Sequence, residues 1–382
     1  MRITNITASL HKNDVVVPDV PDSVESRIFV FVEVETDTGI KGHGVTGVFL
    51  PWAVISCIEQ HLLPTLKGLD PLCTEHIHSV VWNRLNIRAY TGVISHALSA
   101  VDIALWDIRG KHEGQPVYKL LGGNRNWAPT YATFGYPFFD ADQIRDYGKK
   151  FVTDGHSMLK MVVGANPSRT WRDDVKRVRA AREAIGPDIG LMIDANYYYN
   201  PHDAFLLARG VKDCDLIWFE EPLHQNDARA LADLRRQTGV PIAAGQNEGH
   251  RWRYRELIEH QAVDVLQPNV LYNGGFTESL KVAHMAQAFN LPVANGGGWP
   301  IFNMHLFAGV MNGGPVEFHH GMWVTGKRFF KDTPDPINGR VTIPDRPGLG
   351  FEPNYEQLKD ARINSPDELS FEGRDSHGYL VR

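Results

Sequence analysis

The sequence lacks the features that mark several large classes of protein. It has three cysteines among 382 residues, too few and too scattered for a disulfide framework or a zinc cluster. It has no run of about 18 apolar residues, and its first residues lack the apolar stretch of a signal peptide, so we expect a cytoplasmic protein with no membrane partner. The formal net charge is only −6 and no long block of like charge occurs, which argues against nucleic acid as a partner.

Several short catalytic motifs are also missing. The patterns G-x-S-x-G, H-E-x-x-H and G-x-x-x-x-G-K-[ST] do not occur. Residues 42–47 match the dinucleotide-binding pattern G-x-G-x-x-G, but Val-Phe-Leu-Pro-Trp follows where a helix should begin, so we interpret them as a hairpin or turn. His319 and His320 are adjacent, and neighbours on a strand point to opposite faces, so at most one of them faces a site.

The composition is that of an ordinary globular protein, 43% hydrophobic and 22% charged, in a chain long enough for two domains. The apolar, β-branched run Ile28–Thr36 predicts a strand, and Asp37–Ile40 predicts the hairpin turn after it. An apolar stripe at helical spacing over 94–121 predicts one long helix, which a Gly-Gly pair ends. Strands followed by helices predict a separate α+β domain over about the first 120 residues.

Beyond this region, short apolar runs alternate with helical stretches. Most of the runs are spaced by about 23 to 33 residues, which is the β/α unit of a parallel barrel. The eight runs are 130–135, 158–163, 190–194, 216–220, 241–245, 263–267, 291–295 and 315–319. A doubly wound sheet is the alternative, but no phosphate-loop glycine pattern follows the first run. The periodicity therefore favours an α/β barrel.

The residues at the ends of these runs are candidate site residues, because a barrel enzyme has its active site at the C-terminal ends of the strands. The third run ends in Asp194, the fourth in Glu220, and Gln246 and Glu248 follow the fifth. Acidic residues that only cap the next helices are the alternative, which three residues in register make less attractive. Oxygen ligands without cysteine or histidine favour Mg²⁺. We predict that Asp194 and Glu220 bind one Mg²⁺, and that Gln246 or Glu248 completes the set.

Other polar side chains occupy the remaining strand ends. Lys160 lies within the second run, and its side chain is expected to point into the barrel mouth beside the metal. Glu317 and His319 are two residues apart on the eighth run and therefore lie on one face. Tyr197 follows Asp194, and we interpret it first as packing or as a wall for a substrate.

Several stretches resemble the enolase superfamily, mandelate racemase/muconate lactonizing enzyme branch. They are 99–111, 120–123, 193–196, 218–222 and 343–350. The resemblance implies a modified TIM barrel, (β/α)7β, under an N-terminal α+β capping domain, one Mg²⁺, a small-molecule carboxylate substrate and a homo-oligomer. It implies a capping domain over 1–123, a barrel over 124–330, and a C-terminal segment, 331–382, that returns to the capping domain.

The resemblance also implies a reaction. The branch removes the proton α to a carboxylate, giving an enediolate held by the metal, and many members then expel a β-hydroxyl as acid-sugar dehydratases. The family's ligands fall on Asp194, Glu220 and position 246, and the family's lysine at the place of Lys160 contacts the substrate carboxylate. We therefore expect an aldonate dehydratase that gives a 2-keto-3-deoxy acid.

The sequence departs from the branch at its usual bases. Val162 stands in place of the second lysine, Asn269 and Gly296 stand in place of the His-Asp pair, and Gln246 in place of a glutamate. A non-standard base is therefore expected, with Lys160 itself as one candidate. The alternative is a homologue that binds an acid ligand but has lost the family's proton transfer.

The remaining candidates complete the expected site. We expect Glu317 to contact the substrate carboxylate from the side opposite Lys160, and His319 or Tyr197 to protonate the leaving hydroxyl. Asn196, Asn269 and Asn295 are expected to bind hydroxyls of the substrate. The N-terminal segment 11–22 is expected to close over the site, and a diacid is disfavoured because no extra arginine is evident at a strand end.

Overall fold

A computed structural model describes residues 1–16, 24–47, 49–85 and 91–369 of the chain. It contains a four-stranded sheet built mainly from the N-terminus and a parallel sheet built from the regularly spaced runs. The predicted α/β architecture, a parallel barrel-type sheet with a strand-rich N-terminal cap, is confirmed. Among the described residues, no helix has both the length and the apolar character needed to cross a membrane.

The cap consists of an antiparallel sheet covered by helices on one face. Its strands are β1 (Ile3–Val16), β2 (Val24–Thr36) and β3 (Lys41–Thr46), and its helices are α1 (Pro51–Cys57), α2 (Leu63–Leu66), α3 (Thr74–Arg84), α4 (Val93–Glu113) and α5 (Val117–Leu120), with a π-helical turn at Ile58–Leu62. Successive residues of β2 point to opposite faces. Val30 and Val32 therefore join the core of the cap, whereas Phe29 and Phe31 join the core of the barrel.

The G-x-G-x-x-G match belongs to the β2–β3 hairpin, as interpreted from the sequence. Its first two glycines allow α4 to pack closely against β3. A Cβ atom on Gly42 or Gly44 would lie 2.0 or 2.1 Å from the carbonyl oxygen of Ala104 or Ala100. Close packing, not phosphate binding, accounts for these glycines.

The single helix predicted over 94–121 is wrong in one respect, because the structure divides it into α4 and α5. Gly114 ends α4 in the left-handed conformation, with φ +66°. Pro116 follows it and has no backbone N–H with which to continue the helix.

The barrel strands lie close to the predicted runs. They are β4 (Trp127–Phe134), β5 (Met158–Val162), β6 (Gly190–Asp194), β7 (Leu216–Glu220), β8 (Ile242–Ala244), β9 (Val265–Leu266) and β10 (Val316–His319). Neighbours from β4 to β9 pair in parallel, and β10 pairs with β4. The predicted seventh run forms only isolated bridges, from Val293 to Leu266 and to Gly313. Pro292 lacks an N–H for a regular ladder at this point.

Helices follow most barrel strands, and the tail returns to both parts of the molecule. The helices are α6 (Ala141–Thr153), α7 (Trp171–Ile185), α8 (Pro201–Gly210), α9 (Ala228–Thr238), α10 (His250–Glu259), α11 (Gly275–Ala288), α12 (Pro300–Gly309) and α13 (His320–Phe329), with short 3₁₀ turns at Lys212–Cys214 and His224–Asn226. The tail contains β11 (Phe330–Lys331), β12 (Arg340–Thr342), β13 (Glu352–Pro353), α14 (Tyr355–Asp360), β14 (Arg362–Ile363) and a 3₁₀ turn at Pro366–Glu368. Strand β12 pairs with β4, and β14 pairs with β1. The domain boundaries at 123 and 330 stay a prediction.

A small group of apolar side chains fills the inside of the barrel. Tyr131, Met192, Trp218, Ala243 and Ala294 come from different strands and pack together as a separate buried cluster. Such a layer makes a barrel interior a packed core and not a channel. It forms the base on which the polar residues at the strand ends rest.

Candidate active site at the barrel mouth

A charged cluster lies at the C-terminal ends of β5, β6, β7 and β10. The Nζ atom of Lys160 lies 2.9 Å from Oδ2 of Asp194, 2.6 Å from Oε1 of Glu220 and 3.0 Å from Oε1 of Glu317. Lys160 is 1% exposed, and the three carboxylates are buried. Four of the residues predicted from separate strand ends are therefore brought into direct contact.

Neighbouring donors hold the carboxylates of this cluster in place. The indole Nε1 of Trp218 donates to Oε2 of Glu220 at 3.0 Å. The hydroxyl of Thr133 donates to Oε1 of Glu317, and the backbone N–H of Gly298 donates to Oε2 at 2.7 Å. Glu317 and Lys160 contact each other although β4 lies between β10 and β5. Their expected positions on opposite sides of a substrate carboxylate stay a prediction.

The two candidates for the third metal ligand have different surroundings. The amide Nε2 of Gln246 donates to Oε2 of Glu221 at 2.8 Å, which leaves its carbonyl oxygen for other partners. Glu248 instead accepts from Nε of Arg253 at 3.0 Å and from the amide of Asn226 at 3.2 Å. Gln246 lines the pocket at the barrel mouth, and Glu248 is engaged with side chains behind it.

The donor atoms at the mouth fit a divalent cation. A Cβ atom built on Gly296 would lie 2.9 Å from Oε1 of Gln246 and 3.1 Å from Oε1 of Glu220, so these two oxygens lie close together beside Gly296. When all are ionised, the three carboxylates and the single Lys160 ammonium together carry a charge of −2. The +2 charge of Mg²⁺ would balance it. Among the described residues, no three Asp, Glu, His or Cys side chains are arranged to hold a metal, so a cation here would need the Gln246 amide oxygen as a further ligand.

Burial and like charge act on the carboxyl groups of β7. Burial, followed by the charge of Asp194, raises the pKa of Glu220 well above its usual range, although Lys160 acts in the opposite direction. Burial raises the pKa of Glu221 to about 7, although the Tyr197 hydroxyl and other donors lower it. Burial disfavours the charged form of Lys160, but the three surrounding carboxylates outweigh it and raise the pKa of its ammonium well above the usual value. The site is thus a concentration of negative charge in a poorly solvated place.

The backbone turns sharply after several of these strands. Asn196, Tyr197, Glu221, His250 and Trp299 all have positive φ values, between 39° and 63°, although none is a glycine. Such conformations cost free energy and concentrate at functional sites. Here they allow the chain to leave the strand while the side chains remain at the barrel mouth.

The pocket above the cluster is lined by residues from both the barrel and the cap. Thr133, Val162, Asp194, Glu317 and neighbouring barrel residues form one side. The cap and its connections contribute Arg27 and Phe49. Lys160 lies beneath this pocket, in contact with two of its lining carboxylates.

Arg27 is a pocket residue that the sequence interpretation missed. It lies on β2, is 3% exposed, and contacts Glu25 and the imidazole Nε2 of His319, the latter at 3.5 Å. An additional arginine in the site was expected only at the ends of barrel strands. The signal was the alternation along β2, which places residue 27 on the same face as Phe29 and Phe31.

The remaining predicted residues fall into two groups. Asn196 and His319 line the pocket. The side chain of Asn269 donates to the Gly296 carbonyl at 2.7 Å, and that of Asn295 accepts from the backbone N–H of Glu317 at 3.1 Å, so both amides are engaged in holding strand ends together.

Tyr197 and the N-terminal segment are less directly placed. The Tyr197 hydroxyl accepts a hydrogen bond from the amide of Asn247 at 3.1 Å. Burial raises the pKa of this hydroxyl well above its usual value, and the charge of Glu221 and a hydrogen bond with it raise the pKa further. Residues 17–23 of the segment expected to close over the site lie outside the described residues. His11, at its start, is buried against Phe29, and burial lowers its pKa to about 4.

A larger cavity, of about 360 Å³, lies beside the pocket and shares Thr133 with it. Its walls are mainly aromatic, including Phe134, Tyr147, Phe318 and Trp323. It contains none of the clustered carboxylates, so the polar chemistry belongs to the smaller pocket.

Comparison with known families matches nearly the whole chain. Residues 14–122 match the N-terminal domain of the mandelate racemase/muconate lactonizing enzymes, and residues 143–358 match the enolase C-terminal domain-like family. Together the two matched segments account for the cap and for most of the barrel.

Several individual relatives are named as sugar-acid enzymes, and others as racemases. An arabinonate dehydratase of Saccharolobus solfataricus is 32% identical over 84% of this chain and 87% of its own length. A D-galactarolactone cycloisomerase of Agrobacterium fabrum is 33% identical over 96% of this chain and 100% of its own. A racemase of Streptomyces coelicolor, solved with bound magnesium, superimposes with a TM-score of 0.84 at 28% identity, covering 94% of this chain and 100% of its own.

Proposed function

Because the chain belongs to the enolase superfamily, in its mandelate racemase/muconate lactonizing enzyme branch, we propose that it is a Mg²⁺-dependent dehydratase of a sugar acid. The substrate is an aldonate, and the product is a 2-keto-3-deoxy acid. The observation that carries the proposal is the buried cluster in which Lys160 contacts Asp194, Glu220 and Glu317 beneath a polar pocket. Named relatives that dehydrate or cycloisomerise sugar acids support the same reaction class.

Asp194, Glu220 and Gln246 are the residues that would hold the metal. Bound Mg²⁺ would supply stabilisation for the negative charge that grows on the substrate carboxylate when the α-proton leaves. The amide of Gln246 is oriented for this role, because its nitrogen is held by Glu221 and its oxygen lies close to that of Glu220 beside Gly296. A neutral oxygen attracts a cation less strongly than a carboxylate, so weaker metal binding than with three carboxylates is expected.

The chain's own residues bind the substrate and move its protons. Lys160 either clamps the substrate carboxylate as an ammonium or removes the α-proton as an amine, and the second role requires that it first lose the proton that the three surrounding carboxylates hold on it. The carbon–oxygen bond at the β-position then breaks, and His319, which lines the pocket, gives a proton to the departing hydroxyl so that water leaves. The resulting enol takes a proton at the carbon that lost the hydroxyl and releases its own hydroxyl proton, which gives the 2-keto acid.

The second candidate is a protein that binds a sugar acid without turning it over. The observation that favours it is the neutral pair Asn269 and Gly296, which stands where the branch has a base. The side-chain amide of Asn269 donates a hydrogen bond to the backbone carbonyl of Gly296. Neither group can accept a proton from carbon.

A screen of aldonates and aldarates with Mg²⁺ separates the two candidates. The dehydratase proposal predicts that at least one aldonate gives a keto acid, detected as its semicarbazone, and that chelation of the metal abolishes the product. Thermal shifts measured on the same panel show which acids bind. If one or more acids raise the melting temperature and none is converted, the non-catalytic candidate is correct.

A further inference from the structure

Gln267 is a buried polar side chain that the proposed mechanism leaves without a role. It follows β9 and is 0% exposed, and neither its amide nitrogen nor its amide oxygen has a hydrogen-bond partner among the described residues. Leaving a buried polar group unsatisfied costs about 1–3 kcal/mol. A methionine or leucine would fill the same space without this cost, so an amide at this position indicates a ligand that satisfies it.

The amide nitrogen lies beside a glycine that two other polar atoms also approach. A Cβ atom built on Gly296 would lie 2.9 Å from Nε2 of Gln267, 2.9 Å from Oε1 of Gln246 and 3.1 Å from Oε1 of Glu220. Gly296 has no side chain, so the three groups approach one another beside its Cα atom. Gln246 and the neighbouring Gly297 line the pocket, so the Gln267 amide lies next to the substrate site.

The chemistry of the three groups selects one kind of occupant. The amide nitrogen Nε2 of Gln267 can only donate a hydrogen bond, and the amide oxygen of Gln246 can only accept one. The carboxylate of Glu220, when ionised, can also only accept. The matching ligand atom has both a lone pair and a proton to give, as the oxygen of water or of an alcohol has. We propose that Gln267 is a positioning residue that donates to such a hydroxyl-type oxygen, either a water bound to Mg²⁺ or a hydroxyl of the sugar acid.

This proposal rests on the proposed function and is tested by binding measurements as well as by activity. Gln267→Met keeps the approximate volume and removes the amide. We expect the ligand-free variant to melt at a higher temperature than the wild type, because an unsatisfied polar group is lost. We expect its affinity for the ligand to fall about tenfold, the effect of one hydrogen bond. Replacement of a residue with only a structural role would not raise the melting temperature and lower the ligand affinity in the same variant.

Two probes identify the source of the oxygen. Titration calorimetry with Mg²⁺ alone reports a water on the metal, and thermal shifts with Mg²⁺ and the aldonate that binds the wild type best report a substrate hydroxyl. Thr130→Val is the matched control, because the Thr130 hydroxyl is also buried and unpartnered but lies nearer the start of its strand. It should raise the melting temperature and leave both affinities unchanged.

The outcomes are distinct. Weaker Mg²⁺ binding by Gln267→Met supports a metal-bound water, and weaker binding of the acid alone supports a sugar hydroxyl. Affinities within twofold of the wild type for both probes overturn the inference and leave the dehydratase proposal standing. A wild type that binds neither probe overturns the proposed function itself. If Gln267→Met does not fold, Gln267→Asn, which shortens the side chain by one methylene but keeps the amide, should show the same loss of affinity.

Discussion

The two halves of the barrel mouth carry different chemistry. The half formed by β5, β6, β7 and β10 is charged, and the half formed by β8, β9 and residues 291–296 is neutral. The charged half holds Lys160, Asp194, Glu220 and Glu317, and the neutral half holds Gln246, Gln267, Asn269, Asn295 and Gly296. The family resemblance places metal and carboxylate binding mainly in the first half and one of the usual bases in the second.

This contrast separates two requirements of the reaction. Binding a carboxylate beside a cation needs charge at fixed positions, and the charged half supplies it with contacts of 2.6 to 3.0 Å. Removing a proton from carbon needs a group that can accept it, and the residues of the neutral half named above are four amides and a glycine. If the enzyme is a dehydratase, the charged half performs both tasks.

The largest expected effect tests the charged half directly. We expect Lys160→Ala to lower turnover by at least about 1,000-fold, because it removes the ammonium that contacts all three carboxylates, whether it acts as clamp or as base. Steady-state assays with the best aldonate measure this loss. Lys176→Ala, at a lysine whose side chain is 73% exposed, is the control and should retain wild-type turnover.

Exchange of the α-hydrogen in D₂O distinguishes the two roles of Lys160. If Lys160 is a clamp, the variant binds the acid much more weakly. If it is the base, the variant binds the acid but no longer incorporates deuterium at the α-position. If Lys160→Ala turns over at the wild-type rate, both roles of Lys160 are excluded, and the base would then lie in the neutral half.

A buried carboxylate outside the mouth provides a contrast in stability. Burial alone would raise the pKa of Asp107, but His43 and Lys111, whose nitrogens lie 3.1 and 2.9 Å away, lower it to about 2. Because the folded pKa lies below the unfolded value, the stabilisation is present above about pH 4 and is lost as the pH falls toward 2. We expect Asp107→Asn to lower the free energy of unfolding by about 2 kcal/mol at pH 7.

Urea unfolding at several pH values, combined with Mg²⁺ titration, measures this prediction. The difference in stability between wild type and Asp107→Asn should shrink as the pH falls from 4 to 2. The affinity of the folded variant for Mg²⁺ should equal that of the wild type, because Asp107 does not line the site. A loss of metal affinity would show that the mouth depends on the packing of the cap.

The residues of the charged half were predictable from the sequence, as were those of the neutral half other than Gln267. Asp194 and Glu220 end strands whose spacing and apolar character are visible in the sequence, and parallel strands place their ends together. The break in the 94–121 helix was also marked, by Gly114 and Pro116, but the apolar stripe continued across them. The local sequence pattern therefore predicted the ends of the barrel strands better than the break between α4 and α5.

Contacts between distant elements account for what was missed. Arg27 reaches the pocket from the cap because β2 packs over the barrel, and a search along barrel strands does not find it. The choice between Gln246 and Glu248 depended on Arg253 and Asn226, which engage Glu248 behind the pocket. Both residues follow β8, and nothing in the sequence separates them until these neighbours are known.

The neutral half should resist an added methyl group. Gly296→Ala places a Cβ atom 2.9 Å from both Gln246 and Gln267, so these side chains must move. We expect the variant to lose about 1–2 kcal/mol of stability, the usual cost of overpacking. In a Gln246→Ala background the same change should cost less, because one of the crowded groups is gone. Additive effects in this double-mutant cycle would contradict the crowded arrangement.

The smallest expected effect converts one neutral position to a charged one. Gln246→Glu replaces an amide oxygen with a carboxylate oxygen, and we expect it to tighten Mg²⁺ binding about tenfold in calorimetry. Without metal the new carboxylate faces Glu221, which now accepts from the amide at 2.8 Å, so the ligand-free variant should melt at a lower temperature. Glu248→Gln is the control, and its Mg²⁺ affinity should be that of the wild type because Glu248 contacts Arg253. If Gln246→Glu leaves Mg²⁺ affinity unchanged while Glu248→Gln weakens it, Glu248 is the third ligand and the charged half of the mouth extends to β8.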